Sequence, residues 1–155
     1  MKSLEELMIA NFLFLNGVAY EYEKNYTGTY ETEGRAYQPD FYLSDYDIWL
    51  EHFGVNEQGR CPWIATPIEE QKYIDGMKWK RQVHAANGTR LIESYSYWNK
   101  DHDLLNKLRK LLEANGVAHV EDSSNTDEGY ARNRIRRQVV PVLRQLNPRL
   151  TESAA

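Results

Sequence analysis

Two carboxylates raise the first chemical question. Asp40 stands in Pro39-Asp40-Phe41 and Glu51 in Leu50-Glu51-His52-Phe53, each within an otherwise aromatic and aliphatic run. An unpaired charge in such surroundings is costly, so each acid needs a partner or a task. If the two runs are neighbouring strands, a short hairpin brings both side chains to one place. Carboxylate oxygens from opposite strands then form a site for a hard cation such as Mg²⁺ or Mn²⁺, which retains several waters. Such an ion can activate water and stabilise the charge that develops on a phosphodiester under attack. The alternative is that both acids lie on an exposed edge or pair with arginines.

The elements that must position these acids are readable from caps and periodicity. Ser3 and Glu6 have capping-box spacing ahead of Leu7, Met8, Ile9, Phe12 and Leu13, and Asn16-Gly17 supplies a stop. A helix is therefore expected from about Leu4 to Leu15. Val18–Tyr22 is rich in aromatic and β-branched residues and reads as a strand; the polar stretch from Asn25 to Ala36 reads as a turn or irregular hairpin. Tyr37–Leu43 is the second strand, with Pro39 confined to its start or to an edge. Ser44–Asp47 is a turn, and Ile48–Phe53 is the third strand, completing a short hairpin. After a loop from Val55 to Ala65, Thr66-Pro67 opens a helix that runs to about Ala86 and ends at Asn87-Gly88. Thr89–Tyr95 is a fourth strand. Leu104–Ala114 is an amphipathic helix capped by Asn115-Gly116. Beyond it, Val117–Ser124 reads as a short strand and turn, and Asp127–Leu146 as a last helix that Pro141 should kink. Helices alternating with strands in this order predict an α/β layer.

Composition narrows the class. The chain has 155 residues, 41% apolar and 27% charged, with a formal net charge of −4. It holds one cysteine, Cys61, which excludes an internal disulfide framework and a cysteine-cluster zinc site. No apolar run reaches the length of a membrane span, and Glu5 and Glu6 break the pattern of a secretory leader, so a cytoplasmic location is expected. Residues 1–100 carry 10 Lys/Arg against 15 Asp/Glu, whereas residues 101–155 carry 9 against 8. In the second part Arg132, Arg134, Arg136, Arg137, Arg144 and Arg149 follow one another with no acid between them. The overall acidity argues against bulk nonspecific nucleic-acid binding, while the local cluster permits phosphate contact. A solvated helix face is the plainer reading of the same arginines.

Pro39-Asp40 followed by a strand carrying Glu51 resembles the core of PD-(D/E)xK nucleases. The stretches Lys2–Tyr26, Tyr37–Leu43, Ile48–Gly54 and Met77–Tyr97 are similar, in order and spacing, to the nuclease-like domain of bacterial superfamily-1 DNA helicases of the helicase IV and UvrD-like kind. This resemblance implies a restriction-endonuclease-like mixed sheet flanked by helices, and Mg²⁺-dependent hydrolysis of DNA in a DNA-repair setting, with a helicase motor as a further partner. It also implies site residues. Asp40 and Glu51 would hold the metal, and Glu6 of the first helix would complete the cluster, although Glu6 is equally the capping partner of Ser3. The family's lysine two residues after the glutamate is Phe53 here, and a phenyl ring cannot polarise water. Some relatives take that lysine from the following helix, which makes Lys80 the candidate. Tyr73, Met77, Lys80 and His84 share one helix face, so the ammonium would point toward the sheet; otherwise it is a solvated lysine beside Lys78 and Arg81. His84 reads more readily as a hydrogen-bonded core histidine, His52 faces away from Glu51 by strand alternation, and Gln71 fits a related helix motif only in a doubtful register.

The C-terminal stretch Val120–Pro148 resembles something else: the end of the catalytic domain of tRNA(Ile)-lysidine synthetase, with Glu121-Asp122-Ser123-Ser124-Asn125, Arg132-Asn133-Arg134-Ile135-Arg136 and Asn147-Pro148 in the matching order. Leu108–Val117 suits either family. This second resemblance implies that Arg132, Arg134, Arg136 and Arg137 contact nucleic acid, with Tyr130 able to stack; salt bridges to Asp122, Asp127 and Glu128 are the competing reading. The Ser-Gly-Gly-x-Asp-Ser loop of that enzyme and any Walker A sequence are absent from these residues, so neither ATP-dependent amidation nor motor activity is expected of them. Two domains follow: a nuclease-like domain over 1–116 and a helical extension over 117–155. The leading functional expectation is a metal-dependent deoxyribonuclease. The alternatives are an inactive DNA-binding module and a truncated, RNA-binding relative of the lysidine synthetase.

Overall fold

The computed structural model describes residues 3–117. Its elements are helix α1 (Leu4–Leu15), strands β1 (Glu21–Tyr22), β2 (Phe41–Leu43) and β3 (Ile48–Phe53), helix α2 (Pro67–Asn87), strand β4 (Arg90–Tyr95), a 3₁₀ turn at Ser96–Asn99, and helix α3 (Leu104–Ala114). The sheet order is β1-β2-β3-β4; β1, β2 and β3 pair antiparallel, and β3 pairs parallel with β4. The long α2 makes the connection that a parallel pair requires. The chain is thus α/β with a four-stranded mixed sheet, as the order of elements predicted.

Local chemistry sets the ends. The Ser3 hydroxyl accepts from the Glu6 N–H and opens α1, which buries Ile9, Ala10, Phe12 and Leu13. Thr66 does the same for the Glu69 N–H at the start of α2, with Pro67 in the first turn. Gly88 ends α2 at φ 67°, a left-handed conformation that costs glycine little. The β2–β3 turn places Asp47 at φ 52°, and the Tyr42 hydroxyl donates to its carboxylate at 3.0 Å. All six residues of β3 are buried, because helices cover both faces of this central strand. Ile48 and Leu50 join α1 and α3 in the main core, together with Leu104, Leu108 and Leu112. Trp49 and Phe53 point the other way, into two smaller clusters under α2.

The expected strands at Val18–Tyr22 and Tyr37–Leu43 are shorter than their composition suggests. Only Glu21 and Tyr22 pair with β2, and β2 begins at Phe41, after the proline that lacks an N–H. Val18 is buried in the core without joining the ladder. Tyr37 keeps one ladder-like bond, its carbonyl accepting from the Tyr26 N–H at 2.8 Å. The fourth strand starts one residue later than expected, since the Thr89 N–H is taken by the His84 carbonyl. The 3₁₀ turn after β4 was not anticipated. The last helix expected over Asp127–Leu146 and all of the Val117–Ser124 strand and turn except buried Val117 lie outside the described residues. Among the described residues, no helix is long and apolar enough to cross a membrane.

Candidate functional site

The β2–β3 register pairs Phe41 with Leu50. Continued by one residue, it sets Asp40 opposite Glu51, with both side chains on the α2 face of the sheet. Asp40 is partly buried and its Oδ2 accepts from the His52 N–H at 2.7 Å; Glu51 is 1% exposed. The two acids therefore converge, as the hairpin argument predicted. From α2, the Lys80 ammonium reaches to 3.3 Å from Glu51 Oε2 and lies 5.6 Å over the Phe53 ring. From α1, Glu6 is buried, and its carboxylate accepts from the Tyr22 hydroxyl at 2.8 Å. The Ser3 cap uses the Glu6 backbone, so the side chain is left for the sheet side of the helix.

Electrostatics record the crowding. Burial first, then the charge of Glu51, and further the charge of Glu6, push the Asp40 carboxyl up to about 8, against the pull of the His52 N–H and Lys80. At neutral pH, Asp40 is thus mostly protonated, and the pair carries one negative charge more readily than two. Among the described residues, no three His, Cys, Asp or Glu side chains are grouped so as to hold a metal ion. Two acids are nonetheless sufficient for an ion that keeps most of its waters.

Sequence reasoning missed the residue that orients Glu51. The Tyr37 hydroxyl donates to Glu51 Oε1 at 2.9 Å and lies 3.1 Å from His84 Nε2. His84 is 2% exposed, and burial lowers its proton affinity to about 4, so it is neutral at pH 7. With the Tyr37 proton directed at Glu51, His84 must donate from Nε2. Its bare Nδ1 then accepts from the Thr89 hydroxyl at 2.8 Å, and Thr89 in turn accepts from Tyr26. The resulting chain of hydrogen bonds, Tyr26–Thr89–His84–Tyr37–Glu51, has one consistent direction. His84 is the hydrogen-bonded core histidine expected for it. The signal for Tyr37 was present only as an aromatic residue three positions before Asp40.

His52 lies on the opposite face, as alternation required. Its Nδ1 meets Ser94 Oγ at 2.8 Å and its Nε2 meets Glu5 Oε1 at 2.9 Å. Ser94, His52 and Glu5 follow the order of a nucleophile, base and acid, but Ser94 is 0% exposed and no substrate reaches it. Burial of Glu5 is outweighed by hydrogen bonds from His52 and Ser96, which hold its carboxyl below the ordinary value. Gln71 is exposed, donates to Asp75 at 2.9 Å and takes no part. Arg132, Arg134, Arg136, Arg137 and Tyr130 lie outside the described residues.

Comparison with known proteins changes the functional expectation. A family model described as a PP-loop domain matches residues 73–143, from within α2 through β4 and α3 and past the described residues. The tRNA(Ile)-lysidine synthase of Shigella flexneri is 37% identical over 100 residues, which is 62% of this chain and 21% of the relative. That of Photobacterium profundum is 30% identical over 105 residues, 64% of this chain and 24% of the relative. That of Geobacter sulfurreducens is 48% identical over 42 residues, 27% of this chain and 9% of the relative. The chain therefore spans a quarter or less of the length of these relatives. No solved structure matches it at a significant level.

These findings overturn the expectation of metal-dependent DNA hydrolysis, and with it the nuclease, helicase-associated and DNA-repair readings. They show similarity instead to a PP-loop domain model over residues 73–143 and to segments of tRNA(Ile)-lysidine synthases. The physical reason for the error is that an acid pair answered by a lysine is a geometry buried ion pairs adopt in unrelated proteins. Phe53 had already removed the one position that would have made the nuclease pattern specific. The second resemblance, carried by the C-terminal stretch, is the one that the comparisons support: this chain is similar to a segment of tRNA(Ile)-lysidine synthases.

Proposed function

We propose that this chain binds tRNA, as a module related to part of a tRNA(Ile)-lysidine synthase. The observation that carries the reading is the PP-loop match over residues 73–143, which runs into the arginine-rich stretch. Arg132, Arg134, Arg136 and Arg137 are the phosphate contacts in this reading. Residues 1–116 form the scaffold, a sheet of restriction-endonuclease-like type, and 117–155 form the nucleic-acid-binding extension. The Ser-Gly-Gly-x-Asp-Ser loop is absent from these 155 residues, so we assign them recognition and not the ATP-dependent step of lysidine formation.

The Asp40–Glu51 pair is the place for a divalent ion in this scaffold. Asp40 and Glu51 would hold Mg²⁺ or Mn²⁺ with most of its waters kept, and the ion would offset the burial and the Glu51 charge that raise the Asp40 proton affinity. Such an ion supplies positive charge for a phosphate oxygen. Glu6 adds negative potential beside it, and Lys80 is the counter-charge of Glu51 when no ion is bound. Calorimetric titration with Mn²⁺ tests this assignment: Asp40→Asn should abolish the binding heat, and an unchanged isotherm refutes it.

The function is tested by fluorescence anisotropy of the full chain with an unmodified tRNA(Ile) transcript and with duplex DNA of equal length. Tighter binding of the transcript, lost on replacing the four arginines by alanine, is the result expected. Equal affinity for both polymers refutes the proposal.

A further inference from the structure

We infer that a cavity at the C-terminal ends of β3 and β4 is a stacking site for one unpaired base of single-stranded RNA, an inference that rests on the tRNA-binding reading and names the part of the RNA that the module reads. The cavity has a volume of about 180 Å³, and its lining includes Met77, Lys78, Arg81, Tyr95, Tyr97 and Glu57. That is smaller than the roughly 300–1,000 Å³ of a site for a drug-sized ligand, and suits a single planar ring.

Three features favour a nucleotide over another small ligand. The first is a preformed aromatic stack. Tyr95 and Tyr97 lie ring on ring, with centroids 5.3 Å apart and planes 11° apart. Trp98 meets Tyr95 edge-on at 5.3 Å, and the Tyr95 hydroxyl donates to Glu93 at 3.0 Å, so the ring plane is held. The 3₁₀ turn that carries Tyr97 is fastened to the end of β3 by its N–H, which donates to the Val55 carbonyl at 3.2 Å. The second feature is a cation on the rim, Lys78, beside an Arg81 whose charge Glu93 answers. The Arg81 guanidinium is fixed by two bonds to Glu93, at 2.9 and 2.6 Å, and lies 5.5 Å over the Phe53 ring. Lys78 is exposed and has no carboxylate partner among the described residues, so its ammonium is available to a phosphate. The third is continuity. Arg81, which lines this cavity, and Lys80, which reaches Glu51, both lie over the buried Phe53 ring. Aromatic faces with cations beside them are how single strands are bound without base-specific hydrogen bonds. Glu57 on the lining and Glu93, which holds Arg81 and Tyr95, are the opposing charges, so Lys78 is the cation left to meet a phosphate.

The test uses the full chain and two probes. Two-dimensional NMR with AMP, CMP, GMP and UMP reports on the cavity alone, and anisotropy with the tRNA transcript and an unstructured RNA oligonucleotide reports on the polymer. The nucleotides should move resonances of Tyr95, Tyr97 and Met77. Tyr97→Ala should weaken oligonucleotide binding by about 5- to 150-fold, the loss of one base–aromatic stack, and Tyr97→Phe should restore it. Lys78→Glu, an exposed substitution that leaves the core alone, should weaken binding and flatten its salt dependence. Unmoved resonances with all four nucleotides overturn the inference, as does tRNA binding that is indifferent to both Tyr97→Ala and Lys78→Glu; the tRNA-binding reading survives the latter result. Nucleotide shifts lost in Tyr97→Ala, in a chain with no affinity for tRNA, support the cavity and refute the tRNA reading.

Discussion

Replacing Asp40 by asparagine should stabilise this protein at alkaline pH. The Asp40 carboxyl titrates near 8 in the folded chain, against an ordinary value of 3.8. Between those values the folded state holds a proton that the unfolded state has released, so stability falls as pH rises through this window and levels off above it. At 1.36 kcal/mol per pH unit, the gap amounts to about 5–6 kcal/mol as an upper bound. Relaxation and water entry reduce it, and we expect about 2–5 kcal/mol. The asparagine side chain has nearly the same shape and still offers an oxygen to the His52 N–H, but it carries no charge. Urea unfolding followed by tryptophan fluorescence, in EDTA to exclude metal, should show the variant more stable at pH 9. The advantage should shrink by roughly 1 kcal/mol per unit as pH falls toward 5. Glu51→Gln in the same series should move the wild-type window to lower pH, because it removes the second-largest cause of the raised value. A constant offset between wild type and Asp40→Asn at every pH refutes the reasoning.

Other perturbations follow from the same geometry. Tyr37→Phe deletes the hydroxyl between Glu51 and His84 and should cost about 1–3 kcal/mol, read as a lower urea midpoint with unchanged slope. Gly88→Ala meets no neighbour but must hold φ 67°, so about 1 kcal/mol should be lost in thermal unfolding. Mn²⁺ affinity should fall about tenfold for each pH unit below 8, since the ion must displace the Asp40 proton; calorimetry at pH 6, 7 and 8 measures it.

Caps and periodicity located the helices well because their signals are local: Ser3 and Thr66 at the starts, and Gly88 and Asn115 at the ends, act over a single turn. Strand limits were less legible. Whether Val18 or Tyr37 joins a ladder depends on the register of a partner distant in sequence, and composition does not report it. The convergence of Asp40, Glu51 and Lys80 was readable because the hairpin is short and α2 has a regular face. Tyr37 was not, since its role arises from His84, 47 residues away, approaching from another element. The function was misread for a different reason. The N-terminal motifs describe a scaffold and an acid pair, whereas the informative similarity lies in residues 73–143. There, the less complete-looking C-terminal resemblance was the one that agrees with the comparisons.

The most direct measurement is the salt dependence of tRNA binding by the full chain, with and without Arg132, Arg134, Arg136 and Arg137. If these four side chains each neutralise a phosphate, alanine at all four positions should reduce the slope of log K against log salt by about 3 and remove the preference for the tRNA transcript over duplex DNA. A slope and preference unchanged by the four substitutions would contradict a tRNA-binding role for this chain.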